Sequence, residues 1–335
     1  MTKASAAQQA GGELEAQLAD TEGAIRLRAA WLYFIEQRTQ ADVADALGVT
    51  RFRINRMLAE CRSEGLVRIE VTSQLASCVA LERQAIEVFG LSDAIIVPSP
   101  IDARRTHAML GAGLGRYLSV RLTDPALRVM GIGWGQTMRE TLRHLRAPER
   151  PDMHIVTLLG ALPRSSEENS IEIIGRLGRM LGAERTYMTA PIYADSPEAR
   201  YVFAGQQFYT PVQDLILRSD VACFSVGDLS DESLLIRHGL PRGVSPKELR
   251  AAGAVGDLLG TFIDIMGRAV DHPVNRQLIG PGLGDLCNMK CLVMAAGGPW
   301  KQDVVTGALR SGLVDVLVSD EVTIRNALAR AEAGI

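Results

Sequence analysis

The sequence predicts a small N-terminal winged helix-turn-helix followed by a larger α/β domain built on a mainly parallel sheet. Residues 40–64, QADVADALGVTRFRINRMLAECRSE, read as two short helices across a tight turn. From Ala94 onward, short apolar runs alternate with stretches of helical spacing, the pattern of a parallel sheet with both faces covered. A length of 335 residues suits two domains and a large core.

Residues 1–20 are rich in Ala, Gln and Gly and are expected to form a disordered tail. Ala24, Leu27, Ala30, Trp31, Phe34 and Ile35 recur at helical spacing and predict a supporting helix. In the helix pair, Val43, Ala44, Leu47, Val49, Ile54, Met57 and Leu58 fall where two crossed helices bury them against each other. Gly48 stands at the bend, where a positive φ costs glycine little. Thr50 is the expected cap of the second helix. After Gly65, LVRIEV alternates apolar and charged residues, as a wing strand would, so residues 21–72 form the first predicted domain. An amphipathic helix at Leu75–Phe89 is either a linker carrying a dimer contact or the first helix of the next domain; residues 73–92 are assigned to a linker helix and 93–335 to an effector-binding and oligomerisation domain.

In that second domain the expected strands are Ala94–Val97, Arg128–Ile132, His154–Leu159, Thr186–Ala190, Val221–Val226, Cys291–Ala296 and Val314–Ser319. Helical spacing lies between most of them, at Arg104–Val120, Met138–Leu145, Ile171–Leu181 and Val304–Leu309.

The net charge of −3 excludes a chain that is basic throughout, so affinity for a polyanion must be local. Locally the sign reverses: Arg51, Arg53, Arg56, Arg62 and Arg68 face only Glu60 and Glu64. That is the layout of a recognition helix aimed at DNA. The five cysteines lack metal-type spacing, and the scattered histidines form neither a metal set nor a triad, so no metal and no cofactor is expected. No apolar run suits a signal peptide or a membrane span, which makes a cytoplasmic protein the expectation.

Ligands of open parallel sheets bind beyond the carboxyl ends of the strands, and two glycine-rich loops stand there. The first, Gly131-Ile-Gly133-Trp134-Gly135-Gln136-Thr137, lets backbone approach a ligand and turns helix N–H groups toward an anion. Trp134 reads equally as a core aromatic or a surface for stacking a sugar. The second is Ala296-Gly297-Gly298-Pro299-Trp300-Lys301, where Lys301 opposes the helix dipole and is easier to explain if it holds an anion. Neither loop matches the P-loop or the dinucleotide fingerprint. The alternative for each is a strand-to-helix turn that needs glycine for geometry. Asn169 precedes a helix as its cap or a ligand contact. Asp257 and Asp264 sit among apolar residues, with Asp257 favoured for a ligand role.

Taken together, TQADVADALGVTRFRINRMLAECRSEGLVRIEV, GIGWGQT, GAVGDLLGTFID, AAGGPWK and LVDVLVSDEVTIRNAL resemble the SorC (DeoR-like) sugar-responsive bacterial transcriptional regulators, over nearly the whole chain from Thr21. Two positions depart from the commoner pattern: Phe52 follows Arg51, and Asn55 stands where serine is frequent. The family's operator sequence therefore does not carry over. The resemblance implies an effector domain similar to the glucosamine-phosphate/ribose-phosphate isomerase fold, used for binding rather than catalysis. It also implies a homodimer or homotetramer. By resemblance Gly133, Gly135, Gln136, Thr137, Asp257 and Lys301 line a pocket for a sugar, sugar phosphate or polyol. Arg51, Arg53, Asn55 and Arg56 are expected to face the major groove of operator DNA, Phe52 to lie among the DNA-binding residues, and Thr50 and Arg68 to stand nearer phosphates. A sugar-phosphate isomerase or deaminase with an accessory helical domain is the alternative; it lacks a visible acid/base pair.

Overall fold

The computed structural model describes residues 22–67, 76–162 and 168–334. The chain divides into two compact units, Met1–Ser73 and Gln74–Ile335.

In the first unit, α1 (Glu22–Ala30) runs on as a wider-wound segment, Trp31–Ile35, before α2 (Gln40–Leu47) and α3 (Arg51–Ser63). Thr39 and Asp42 cap α2 reciprocally, each side chain taking the other's backbone N–H. Gly48 then turns the chain with φ 64°. Thr50 opens α3, its hydroxyl accepting the Arg53 N–H at 3.3 Å. Ala29, Ala30, Val43, Ala44, Ile54, Leu58 and Cys61 form the core between these helices, with Leu47 and Val49 packed on its edge. Leu66 and Val67 close the unit in a bend, Val67 N–H donating to the Cys61 carbonyl at 3.0 Å. The rest of the expected wing strand, including Arg68, lies outside the described residues, as does the expected tail over residues 1–20.

The second unit begins with α4 (Ala76–Phe89) and β1 (Asp93–Val97). Cys78, Leu81 and Ala85 of α4 are buried in the core, and Glu82 Oε1 accepts the Ile96 N–H at 2.9 Å. Of the two roles expected for this helix, its apolar face is bound into the body, of which it is the first described element.

There follow α5 (Thr106–Arg121), β2 (Val129–Ile132), α6 (Gln136–His144), β3 (His154–Thr157), α7 (Ser170–Leu181) and β4 (Glu184–Thr186). Next come α8 (Pro197–Ala204), α9 (Tyr209–Leu217), β5 (Val221–Phe224), β6 (Val226–Asp228), β7 (Gly256–Leu258) and β8 (Thr261–Ile263). The chain ends with β9 (Leu292–Ala295), α10 (Gln302–Arg310), β10 (Val316–Asp320) and α11 (Glu321–Ala333); short helices near residues 236, 248 and 285 lie in the connections.

Among the described residues seven strands pair in the order β1-β10-β9-β5-β2-β3-β4, every pair parallel. Neighbouring residues of one strand serve opposite faces, as period-2 geometry requires. Val293, Val316, Val318, Val221 and Cys223 join one apolar layer, and Leu292, Met294, Leu317, Ala222 and Phe224 join the other. The sheet expected to be mainly parallel is so, but the strand expected at Val221–Val226 breaks at Ser225, and its end, β6, joins a separate antiparallel sheet, β6-β7-β8. The strand expected at Thr186–Ala190 instead stops at Thr186. Beyond it the Met188 N–H is taken by the Thr157 hydroxyl at 2.7 Å.

One packing detail positions the site. A Cβ on Gly111 of α5 would lie 2.6 Å from Glu140 Cβ of α6, and one on Gly115 would lie 2.9 Å from His144 Cβ. The two glycines let α5 and α6 touch side by side in parallel register, so both helix N-termini open on one rim. Among the described residues no helix is long and apolar enough to cross a membrane.

Candidate functional site

From β2 the sheet grows outward through β3 and β4; the chain then returns to β5 and grows the other way through β9 and β10. The β2/β5 boundary is therefore the topological switch point, where loops diverge and leave a crevice. A cavity of about 460 Å³ opens there, a volume suited to a small ligand. Its walls come from the start of α5, the β2–α6 loop, the β5–β6 segment, β7 and the β9–α10 loop.

Of the residues expected to contact an effector, Trp134, Gly135, Gln136, Thr137, Asp257, Gly297, Gly298 and Lys301 line this one cavity. Trp134 is half-buried and packs against both apolar layers, so it is a core aromatic and a pocket wall at once. Gly133 is not in the lining. It is buried one step deeper, its N–H donating to the Cys223 carbonyl at 2.7 Å, and a Cβ there would meet Phe224 Cβ at 3.2 Å. Asn169 is also absent from the lining. It caps α7, Oδ1 accepting the Ile171 N–H at 3.4 Å while Nδ2 donates to the Leu162 carbonyl. Asp264 is turned elsewhere, accepting the Met266 and Arg268 N–H groups in a turn.

Asp257 is held in place by a strained hairpin. β7 and β8 pair Leu258 with Thr261, leaving Leu259 and Gly260 as a two-residue turn with φ 47° and 82°. Both positive angles mark the primed turn that hairpins favour, although leucine adopts it at a cost of about 1–2 kcal/mol. Asp257 Oδ2 accepts the Gly260 N–H at 2.9 Å, and its other oxygen lies over Gly227, where a Cβ would stand 2.1 Å away. Only glycine at 227 leaves room for that carboxylate.

Sequence reading missed Ser225, Asp228 and His107, all in the lining. Ser225-Val-Gly-Asp228 follows the strand Val221–Phe224 directly, so the carboxyl-end rule applied to that strand would have found it. Lys301 Nζ donates to Ser225 Oγ at 3.4 Å. Burial lowers the Lys301 ammonium, and the Asp228 and Asp257 carboxylates pull it back up. His107 Nδ1 lies 3.0 Å from Thr137 Oγ1, joining α5 to α6 at their first turns. Burial, with Lys301 adding to it, pushes His107 down to about 4, so at neutral pH it is an uncharged hydrogen-bonding group. Burial raises Asp257 to about 6, against the Gly260 hydrogen bond and Lys301, which favour its charged form. His107, Asp228, Asp257 and Lys301, far apart in the sequence, are thus gathered into one cavity by the fold.

These two shifts oppose each other. Asp257 binds its proton more tightly folded than unfolded, so its contribution to stability is complete below about 4 and is lost as pH rises through about 6. His107 binds its proton less tightly folded, so its contribution is present above 6.5 and lost as pH falls toward 4. Each is worth roughly 3 kcal/mol over the window, with opposite slopes. Relative to the parent, His107→Gln is expected to lose stability as pH rises from 4.5 to 6.5, and Asp257→Asn to gain it. Urea unfolding at four pH values checks this; two differences that stay flat with pH would refute it.

In the first unit, Arg51, Phe52, Arg53, Asn55 and Arg56 are exposed on α3 while Ile54, Met57, Leu58 and Cys61 are buried. Arg53 pairs with Glu22 at 3.3 Å and Arg56 with Glu60 at 2.9 Å.

Residues 73–329 match the family model for a sugar-binding domain, Sugar-bind. The full-length sorbitol operon regulator SorC of Klebsiella pneumoniae superposes with a TM-score of 0.66 at 25% identity, covering 90% of this chain and 98% of that one. The chain belongs to the SorC (DeoR-like) family of sugar-binding transcriptional regulators. Two further relatives match along nearly their whole length. The erythritol catabolism regulatory protein EryD of Brucella abortus is 26% identical over 308 residues, 92% of this chain and 97% of that protein. The transcriptional regulator LsrR of an Enterobacter strain is 28% identical over 323 residues, 94% and 96%. These relatives are named as regulators. The fold this chain shares with the solved SorC regulator is a helical N-terminal region and an α/β body with a mainly parallel sheet.

Proposed function

We propose that this SorC-family regulator controls a carbohydrate or polyol catabolic operon. Its operator affinity is set by a sugar, sugar phosphate or polyol bound at the β2/β5 crevice. The observation that carries this reading is the pocket itself: Asp228, Asp257, Ser225, Thr137 and Lys301 present acceptors and donors in one small cavity between Trp134 and the Gly297–Gly298 loop. That is the lining a polyhydroxylated ligand satisfies. The effector domain is read as an isomerase-like sheet kept for binding, the protein as a cytoplasmic homodimer or homotetramer, and residues 22–67 as the operator-binding head. A ligand alters DNA affinity only by binding two conformations unequally.

A second reading has one observation in its favour: Asp257, raised to about 6, shares the pocket with His107 and Lys301, a set able to move protons on a sugar phosphate. The test covers both. Thermal shift of the full chain is measured with paired free and phosphorylated pentitols, hexitols and their sugars, followed by binding to duplex DNA with and without each hit. A stabilising ligand that changes DNA affinity tenfold or more supports regulation. A panel without any stabilising ligand defeats it, and turnover of a hit, followed by proton NMR, supports the enzyme.

A further inference from the structure

Successive residues of an α-helix step about 100° around its axis. On α3 the buried Ile54, Met57, Leu58 and Cys61 make one stripe, and Phe52 stands within about 10° of the direction opposite its centre. The most outward residue in the first turns of this basic helix is therefore a phenyl ring, 81% exposed. Arg56 lies roughly 40° from it and Asn55 roughly 60°, whereas Arg51 and Arg53 stand roughly 100° to either side. The side arginines are placed for the two walls of a groove, and Arg53 is steadied there by Glu22. Glu60, on the same helix, is already paired with Arg56.

We propose that Phe52 reads a thymine, packing its ring on the C5-methyl group in the major groove, while Arg51 and Arg53 meet the backbone phosphates on either side. This rests on the reading of residues 22–67 as a DNA-binding head. Polarity of the base edges selects the base. Guanine, adenine and cytosine present N7, O6 or amino groups that a phenyl ring cannot satisfy, and thymine alone offers an apolar group. The N-terminal turns of a recognition helix are also the part that reaches the base edges. The flanking positive charge makes a polyanion, rather than another apolar protein surface, the occupant that fits.

The full chain is used to select duplexes from a randomised DNA pool, and an enriched duplex is resynthesised with deoxyuridine replacing each thymine in turn. Removing the critical methyl is expected to weaken binding about fourfold per half-site, the effect of one apolar carbon. Phe52→Ala is expected to bind more weakly and to lose that sensitivity, and Phe52→Leu to keep part of it. An exposed ring contributes little to folding, so both variants should melt with the parent. Equal sensitivity to deoxyuridine in parent and Phe52→Ala overturns the proposal, as does a parent indifferent to every thymine methyl. A pool that yields no enriched duplex is a different failure, that of the head as a DNA-binding module.

Discussion

Gly297→Ala is expected to destabilise the second unit by roughly 2–4 kcal/mol and to abolish the effector response while leaving DNA binding intact. The backbone at Gly297 has no positive φ, so alanine is not excluded by conformation. It is excluded by a neighbour: a Cβ there would lie 2.2 Å from Asp320 Oδ2. A carboxylate at the end of a flexible side chain would swing away, but this one is gripped. Asp320 caps α11, and its oxygens accept Ser99 Oγ at 2.6 Å, the Gly298 N–H at 2.7 Å, Thr323 Oγ1 at 2.6 Å and the Thr323 N–H at 3.2 Å. Any rotation that clears the methyl breaks charge-assisted bonds to buried donors. The same bonds fix the Gly297–Gly298 turn that forms one wall of the cavity, so the pocket is distorted along with the cap. Differential scanning calorimetry should show a fall of roughly 5–12 °C in Tm. Gly284→Ala is the control, since nothing lies within 4 Å of a Cβ there, and it is expected to be neutral. Equal Tm values for the two variants would show that Asp320 relaxes freely and that this wall is soft.

The head was legible because its signals are local. The Gly48 bend, the Thr50 cap and the apolar positions of two crossed helices all fall within twenty residues, and Val43, Ala44, Ile54, Met57 and Leu58 are buried as that spacing requires. The inner parallel strands were legible for a similar reason, being apolar runs too continuous for a solvated edge, whereas the edge strand β4, Glu184-Arg-Thr186, is polar and exposed and lies earlier in the chain than the run expected at Thr186–Ala190. The β6–β8 sheet was not, because its strands are three residues long, β6 and β7 carry Gly227 and Gly256, and β6 meets β7 only through partners about thirty residues apart. The pocket fell between these cases. Glycine marked the loops at Gly135 and Gly297, but His107 carries no local signal: it becomes a pocket residue because Gly111 and Gly115 bring α5 against α6. Asp228 likewise gains meaning from Lys301, more than seventy residues away in the chain.

Arg56→Ala should cost operator affinity about 1–3 kcal/mol per head and relax sequence preference, whereas Arg51→Ala should weaken all duplexes alike and flatten the salt dependence by about one unit per head. The difference follows from placement on α3 under the proposed reading of the head. Arg56 is one turn beyond Phe52 on the outward face and so is placed for base edges, whereas Arg51 is on the flank and so is placed for phosphate. Their states in the free protein differ as well: Arg56 is tied to Glu60 at 2.9 Å, a bond it must release to reach a base. An exposed pair of this kind is worth at most about 1 kcal/mol, so release is affordable and Glu60→Gln should tighten binding by up to about fivefold. For the proposed homodimer on a two-fold operator the Arg56→Ala loss is expected to double in free energy, enough to remove detectable specific binding near physiological salt. Titrations at three salt concentrations, on an enriched duplex and a scrambled one, separate the two roles. If Arg51→Ala proves sequence-selective and Arg56→Ala only salt-sensitive, α3 enters the groove rotated from the orientation its buried stripe defines, and Phe52 with it loses its place at the base edges.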